Sequence, residues 1–98
     1  MSMRELIERK LEEGRKVSSS TVIRALRGVA EDEDADEAAF LNLLADRINQ
    51  TYPGEDIDIR VINKVAKEPV FKKYWKKIGS ADLRELISDS WDMISNGR

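Results

Sequence analysis

The 98-residue sequence contains no cysteine and no histidine. Without cysteine the chain has no disulfide, no thiolate nucleophile and no cysteine-ligated zinc, which suits a reducing compartment. Without histidine it lacks the commonest general base near neutral pH and the commonest transition-metal ligand. It also has no glycine-rich phosphate loop. We therefore expect a protein that is not an enzyme and that has no cofactor, no metal and no small-molecule substrate.

Long apolar runs are also missing from the sequence. None approaches the roughly 18 to 20 residues of a membrane span. The N-terminal segment alternates charged and apolar residues, unlike a signal peptide. We expect a cytoplasmic protein that does not bind membranes. Its length fits one domain, residues 1–98, with a single core.

What the chain does have is apolar residues at helical spacing along most of its length, separated by serine, aspartate, glycine and proline. This pattern predicts an all-α protein, a single compact bundle of five or six short helices. The predicted helices cover residues 2–14, 18–28, 31–52, 56–66, 69–78 and 80–96, with Ser80 as the cap of the last. The predicted core contains Leu6, Ile7, Val22, Leu26, Phe40, Leu44, Ile48, Ile62, Val65, Phe71, Trp75, Leu83, Ile87 and Trp91.

Residues 56–66 fit two interpretations. Ile57, Ile59 and Val61 alternate as in a strand, whereas Val61, Ile62 and Val65 share a helical face. The sequence offers no second alternating run as a partner strand. We therefore predict a helix that begins at Asp56 or Asp58, and no paired sheet anywhere in the chain.

The segment from Val17 to Gly28, VSSSTVIRALRG, has a small apolar residue, a serine cap, a Thr-Val pair and an arginine two places further on. It resembles the turn and recognition helix of helix-turn-helix DNA-binding proteins of the lac-repressor and arginine-repressor types. The resemblance covers about an eighth of the chain. It implies that Ser18 caps the helix and that Val17, Val22 and Leu26 pack inward. The residues that it places against the bases are Ser19, Ser20, Ile23 and Arg24.

Several cations would hold the phosphate backbone in that arrangement. Arg24 has the guanidinium fork that reads guanine, and basic groups elsewhere would supply contacts that do not depend on base sequence. The candidate phosphate ligands are Arg15, Lys16, Arg27, Lys72, Lys73, Lys76 and Lys77.

The last four of these lysines interleave with aromatic residues between Lys67 and Lys77. Aromatic side chains and lysines together can hold single-stranded nucleic acid, with bases stacked on the rings. However, Phe71, Tyr74, Trp75 and Ile78 share one helical face. That spacing favours aromatics in the core and leaves the lysines as a solvated stripe, available to phosphates or to an acidic protein partner.

Residues 31–37 form the acidic segment, with six carboxylates and no basic residue, and they separate a basic N-terminal third from a nearly balanced remainder. Asp32, Asp34 and Asp36 have the spacing of a calcium loop. Glu37 and Leu43 stand where that loop needs glycine and a bidentate glutamate, so we expect no calcium there. The segment suits the start of a helix, or the docking of a basic partner. The candidate partner-binding residues are Glu31, Asp32, Glu33, Asp34, Asp36 and Glu37.

Two functions follow from these patterns. The first is a small DNA-binding regulatory protein that reads DNA with the helix-turn-helix-like segment. The second is a non-enzymatic protein–protein interaction module, an adaptor or inhibitor of the kind that a phage or other mobile element encodes, which docks through the acidic segment or the lysines. The overall charge of −2 is unusual for a dedicated polyanion binder. The expected partner is thus DNA or a protein, and homodimer formation stays open.

Overall fold

A computed structural model describes residues 16–96. Within this range the chain forms five α-helices, one 3₁₀ turn and two very short strands, which confirms the all-α class. The predicted helix over residues 2–14, with Leu6 and Ile7, and the candidate phosphate ligand Arg15 lie outside the described residues. In chain order the elements are β1 (Val17–Ser18), α1 (Ser19–Ala30), α2 (Ala35–Thr51), β2 (Asp56–Ile57), α3 (Ile59–Ala66), the 3₁₀ turn (Pro69–Phe71), α4 (Lys72–Ile78) and α5 (Ser80–Asn96).

Side-chain caps begin the first two helices. Ser18 accepts a hydrogen bond from the backbone N–H of Thr21 at 3.3 Å, which is the capping role that the resemblance implies for it. Asp34 accepts one from the backbone N–H of Glu37 at 3.3 Å. Acidic residues in the first turn of α2 lie beside the positive end of the helix dipole. The last residues of the acidic segment therefore form the cap and the first turn of α2.

The strands β1 and β2 pair antiparallel, with Val17 opposite Ile57 and Ser18 opposite Asp56. The prediction that no strands pair is wrong at this point. Ile57 is buried in the core, and the backbone N–H of Ser19 donates to the carbonyl of Glu55 at 2.7 Å. The pairing thus clamps the start of α1. Each strand has two residues, too few for an alternating pattern to be visible in the sequence.

Asp58 begins α3 from inside the protein, with only 4% of its surface exposed. Its carboxylate accepts hydrogen bonds from the backbone N–H groups of Arg60 and Val61, at 3.0 and 3.2 Å, and from the Arg60 guanidinium at 3.1 Å. Burial opposes ionisation, but these hydrogen bonds and the positive charge of Arg60 lower the pKa of Asp58 below its usual value. The prediction of a helix in residues 56–66 is therefore confirmed, with Asp58 as its cap. Ile59 and Val61 lie in that helix, and the two residues before the cap, Asp56–Ile57, form β2.

The predicted helix from Pro69 to Ile78 begins as the 3₁₀ turn and continues as α4. Gly79, with a φ of 105°, separates α4 from α5, and its carbonyl accepts the backbone N–H of Leu83. Such a φ favours glycine because it has no Cβ. Ser80 is thus the first residue of α5, and the prediction that it caps this helix is wrong by one residue.

The core is built mainly by α1, α2 and α5, to which α3 and the 3₁₀ turn add their apolar side chains. Most of the described residues that were predicted as core are buried. Trp75 differs, because it lies at the edge of the core and is only partly buried. No helix among residues 16–96 is long and apolar enough to cross a membrane. The confirmed core residues are Val22, Leu26, Phe40, Leu44, Ile48, Ile62, Val65, Phe71, Leu83, Ile87 and Trp91.

Candidate functional site

Helix α1 presents part of the predicted base-contacting set to solvent. Ser20 and Arg24 are exposed and lie one turn apart on the same face, whereas Ile23 is half-buried against the core. Ser19 is 1% exposed, because the first turn of α1 sits against the strand pair. The prediction that Ser19 contacts a base is therefore wrong. Two exposed side chains of the four remain on the outer face of α1.

The charge around α1 is mixed. Arg27, a predicted phosphate ligand, donates to the carboxylate of Asp46 on α2 at 2.6 Å, although both side chains are about half exposed. At the other end of α1, exposed Glu55 and Asp56 lie beside its N-terminus through the strand pair. Exposed Lys16 precedes the strand. Carboxylates at this end oppose the approach of a phosphate backbone.

The second candidate surface is the lysine stripe, which we define as Lys72, Lys73, Lys76 and Lys77 of α4. All four lysines are exposed, and Lys77 lies 3.3 Å from the carboxylate of Asp36. The stripe belongs to a longer basic segment, since residues 59–77 hold seven basic groups and one acidic group. That acidic group, Glu68, is bound to Arg47 of α2 at 2.9 Å. The segment is the most cationic part of the described chain.

The aromatic residues beneath the stripe meet the ring of Phe40 of α2. The rings of Phe71, Tyr74 and Trp75 pack edge-to-face around it, with centroids 5.5, 5.8 and 6.4 Å away. Phe71 is fully buried, whereas Tyr74 and Trp75 are half-buried. The indole N–H of Trp75 donates to the carbonyl of Ala66 at 2.7 Å. These contacts support the prediction that the aromatics face the core, and they hold Trp75 rigidly while part of it stays exposed.

The stripe and the exposed face of α1 are attached to different faces of α2. Lys77 binds Asp36, and the turn before α4 is tied to Arg47 through Glu68. Positions 36 and 47 differ by only about 20° around a helix, whereas position 46, which holds the carboxylate that binds Arg27, lies about 80° to 100° from them. Within residues 16–96, the two sets of cations are therefore attached to different sides of α2.

A cleft beside the stripe was not predicted from the sequence. It has a volume of about 480 Å³ and lies between the turn after α3, the first two turns of α4 and the start of α5. Trp75 and Pro69 contribute apolar surface, and Lys67, Lys72 and Arg84 supply three cations. The sequence already indicates the lysines and aromatics between Lys67 and Lys77, but it does not indicate that Arg84 of α5 joins them.

The acidic segment takes part in a second, smaller cleft of about 180 Å³. Glu33 and Glu37 line one side, and α5 contributes Asp82, Glu85 and Asp89 on the other. The three carboxylates on α5 were missed, although their spacing places them on one helical face. The other candidate residues of the segment, Glu31, Asp32, Asp34 and Asp36, are exposed.

Glu37 shows the effect of this crowding. Partial burial, the charges of Asp34 and Glu33 and hydrogen bonds with both side chains raise its pKa from 4.5 to about 7. No group of three or more acidic residues within residues 16–96 has the geometry of a metal site. The acidic cleft thus brings together five carboxyl groups from two segments of the chain.

Comparisons with known proteins add no identity to these surfaces. No protein-family model matches the chain, and no match is found among curated proteins or solved structures. Support for a function therefore comes from the exposed face of α1, the lysine stripe and the two clefts.

Proposed function

We propose that this protein is a non-enzymatic protein–protein interaction module, an adaptor or inhibitor, that docks an acidic partner protein on the lysine stripe. The observation that carries this proposal is the charge of residues 59–77. Their one carboxylate is already bound to Arg47, and the exposed side chains of α4 are all lysines. Exposed charges of one sign steer a partner of the opposite sign and set its orientation.

The partner is an acidic protein rather than a long nucleic acid for two reasons. The end of the acidic segment lies next to the stripe, since the carboxylate of Asp36 is 3.3 Å from Lys77, and an extended polyanion along α4 would meet this negative charge. The chain also has a net charge of −2, which weakens binding to any large polyanion. A protein surface can present carboxylates only where the lysines are.

The experiment uses a fluorescently labelled glutamate-rich peptide and measures its anisotropy with the 98-residue chain at low ionic strength. Lys73→Glu/Lys76→Glu reverses two lysines of the stripe. The control, Lys16→Glu/Arg24→Glu, makes the same change in net charge on and beside α1, away from the stripe. We expect the first variant to weaken binding roughly tenfold and the second less than about twofold, because exposed pairs contribute about 0.2 to 1 kcal/mol each. Equal weakening by both variants would mean a net-charge effect and would overturn the proposal.

DNA binding through α1 is a second candidate, because Ser20 and Arg24 are exposed one turn apart on the same helix. Arg24→Ala should then relax base preference and cost about 1 to 3 kcal/mol, whereas Lys16→Ala, beside the start of α1, should weaken binding to all sequences alike. A mobility-shift titration against random duplex DNA at low salt tests it. No shift at roughly tens of micromolar protein excludes this candidate.

A further inference from the structure

The cleft beside Trp75, which we call the Trp75 cleft, differs from the lysine stripe in its lining. Its volume of about 480 Å³ lies within the range of side-chain and small-ligand pockets. One wall is the exposed part of the Trp75 indole, which the hydrogen bond to Ala66 and the contact with Phe40 hold in place. A rigid aromatic wall loses little entropy when it is covered.

The charged rim of the cleft is cationic. Lys67, Lys72 and Arg84 are all exposed and border it from three elements. The one carboxylate in the lining, Glu68, is bound to Arg47. An occupant that brings carboxylates to this rim therefore meets cations on all sides, while its apolar part meets the indole.

A second hollow of about 420 Å³ continues the surface across Pro69. Arg47, Glu68, Pro69 and Val70 line it, and Val70 is 48% exposed. The two hollows share Glu68 and Pro69. An extended segment that crosses Pro69 can place apolar side chains on both sides of it.

The shape and chemistry point to a peptide rather than to stacked bases. Proteins that bind single strands offer successive aromatic platforms. In the described part of the chain Trp75 is the one aromatic residue that lines either hollow, and its neighbours Pro69 and Val70 are aliphatic. Aromatic anchors in a well-formed pocket with a charged rim are typical of protein–protein hot spots.

We infer that the Trp75 cleft is the anchoring pocket of the docking surface and that it accepts an aromatic or large aliphatic side chain from an acidic segment of the partner. This inference rests on the proposed function. The lysine stripe attracts an acidic partner by its charge, and the cleft selects among acidic partners by the side chain that it accepts. Carboxylates that flank the anchor would contact Lys67, Lys72 and Arg84.

Two labelled peptides of identical charge test the inference, one with a phenylalanine at the centre of an aspartate-rich sequence and one with alanine there. We expect the phenylalanine peptide to bind the intact chain about thirtyfold more tightly, the smallest difference that a hot-spot side chain makes. In Trp75→Ala this preference should disappear, and in Trp75→Phe it should return. Circular dichroism establishes that each variant is folded.

Tryptophan emission supplies a readout that does not depend on the folding of Trp75→Ala. The sequence has two tryptophans, so Trp91→Phe leaves Trp75 as the one emitter. Trp91 is buried and its indole N–H has no acceptor within the described residues, which makes phenylalanine a mild replacement. The phenylalanine peptide should shift the emission of Trp75 to the blue, and the alanine peptide should not.

The outcomes separate the inference from the proposed function. Equal binding of both peptides, without an emission shift, overturns the anchoring pocket but leaves docking on the lysine stripe intact. Binding of neither peptide overturns both. Tighter binding of a thymidine oligonucleotide of the same charge, with a shift in Trp75 emission, assigns the cleft to nucleobases and likewise overturns the inference.

Discussion

Helices α2 and α4 are both amphipathic, yet they contribute to the molecule in opposite ways. Helix α2 has an aspartate cap and buries five residues, whereas α4 has seven residues, no side-chain cap and no fully buried residue. Helix α4 is held by half-buried Tyr74, Trp75 and Ile78 against the core that α2 builds. The difference indicates that α2 determines stability, whereas the outer surface of α4, with its four lysines, is available for function.

The largest loss of stability is expected from a substitution of Phe40 in α2. The aromatic residues of α4 and the 3₁₀ turn pack around its ring. Phe40 is fully buried, so Phe40→Ala should lower the free energy of unfolding by about 3 to 5 kcal/mol. Urea denaturation followed by circular dichroism measures this loss. A loss below about 1 kcal/mol would mean that the aromatic cluster is not part of the core.

Trp75→Ala tests the α4 side of the same contact. Because Trp75 is only partly buried, we expect a loss of about 2 kcal/mol, roughly half the value for a buried aromatic residue. Exposed Lys73→Ala on the same helix is the matched control and should change stability by no more than about 0.5 kcal/mol. If Trp75→Ala proved as damaging as Phe40→Ala, α4 would be a core element and the contrast with α2 would fail.

Asp58→Ala removes the buried cap of α3 and should cost about 1 kcal/mol at neutral pH. Because the folded-state pKa of Asp58 is lowered, this contribution is present above its usual pKa of 3.8 and is lost as the pH falls through the folded-state value. The stability difference between wild type and variant should therefore narrow below pH 3.8. A difference that stays constant in acid would contradict the hydrogen-bonded carboxylate.

Glu37→Gln should have the smallest effect and the opposite dependence on pH. A folded-state pKa raised from 4.5 to about 7 means that the folded protein holds this proton more tightly than the unfolded chain. Wild type should thus lose stability relative to Glu37→Gln as the pH rises from 4.5 to about 7, and the variant should be the more stable one above that range. Exposed Glu31→Gln is the matched control. Melting temperatures measured across this pH range test the prediction. If the melting temperatures of wild type and Glu37→Gln depended on pH in the same way, the raised pKa of Glu37 would be contradicted.

Much of the fold could be predicted because local signals and tertiary structure agree. Asp58 and Gly79 mark helix ends that the sequence already indicates, the acidic segment indicates the start of α2 without identifying Asp34 as its cap, and the apolar stripes identify most of the core. The strand pair was missed because two residues make no pattern, and Ser19 was misplaced because that pair covers the first turn of α1.

The candidate site was less predictable than the fold. The lysine stripe follows from helical spacing alone, because its members lie within one short segment. Both clefts depend on α5, whose Arg84 meets α4 on one side and whose Asp82 and Glu85 meet the acidic segment on the other. Such meetings of distant segments arise from packing, and a single sequence does not encode them in a local pattern.

The functional contrast between α4 and the rest of the molecule is tested most directly by chemical-shift mapping. Uniformly ¹⁵N-labelled protein is titrated with the phenylalanine-containing acidic peptide and, separately, with duplex DNA. We predict that the peptide shifts the amides of residues 67–77 and the indole N–H of Trp75, and that it leaves Ser20 and Arg24 unchanged. Shifts confined to Ser20, Arg24 and their neighbours on addition of DNA, with no response of α4 to the peptide, would contradict docking on the lysine stripe.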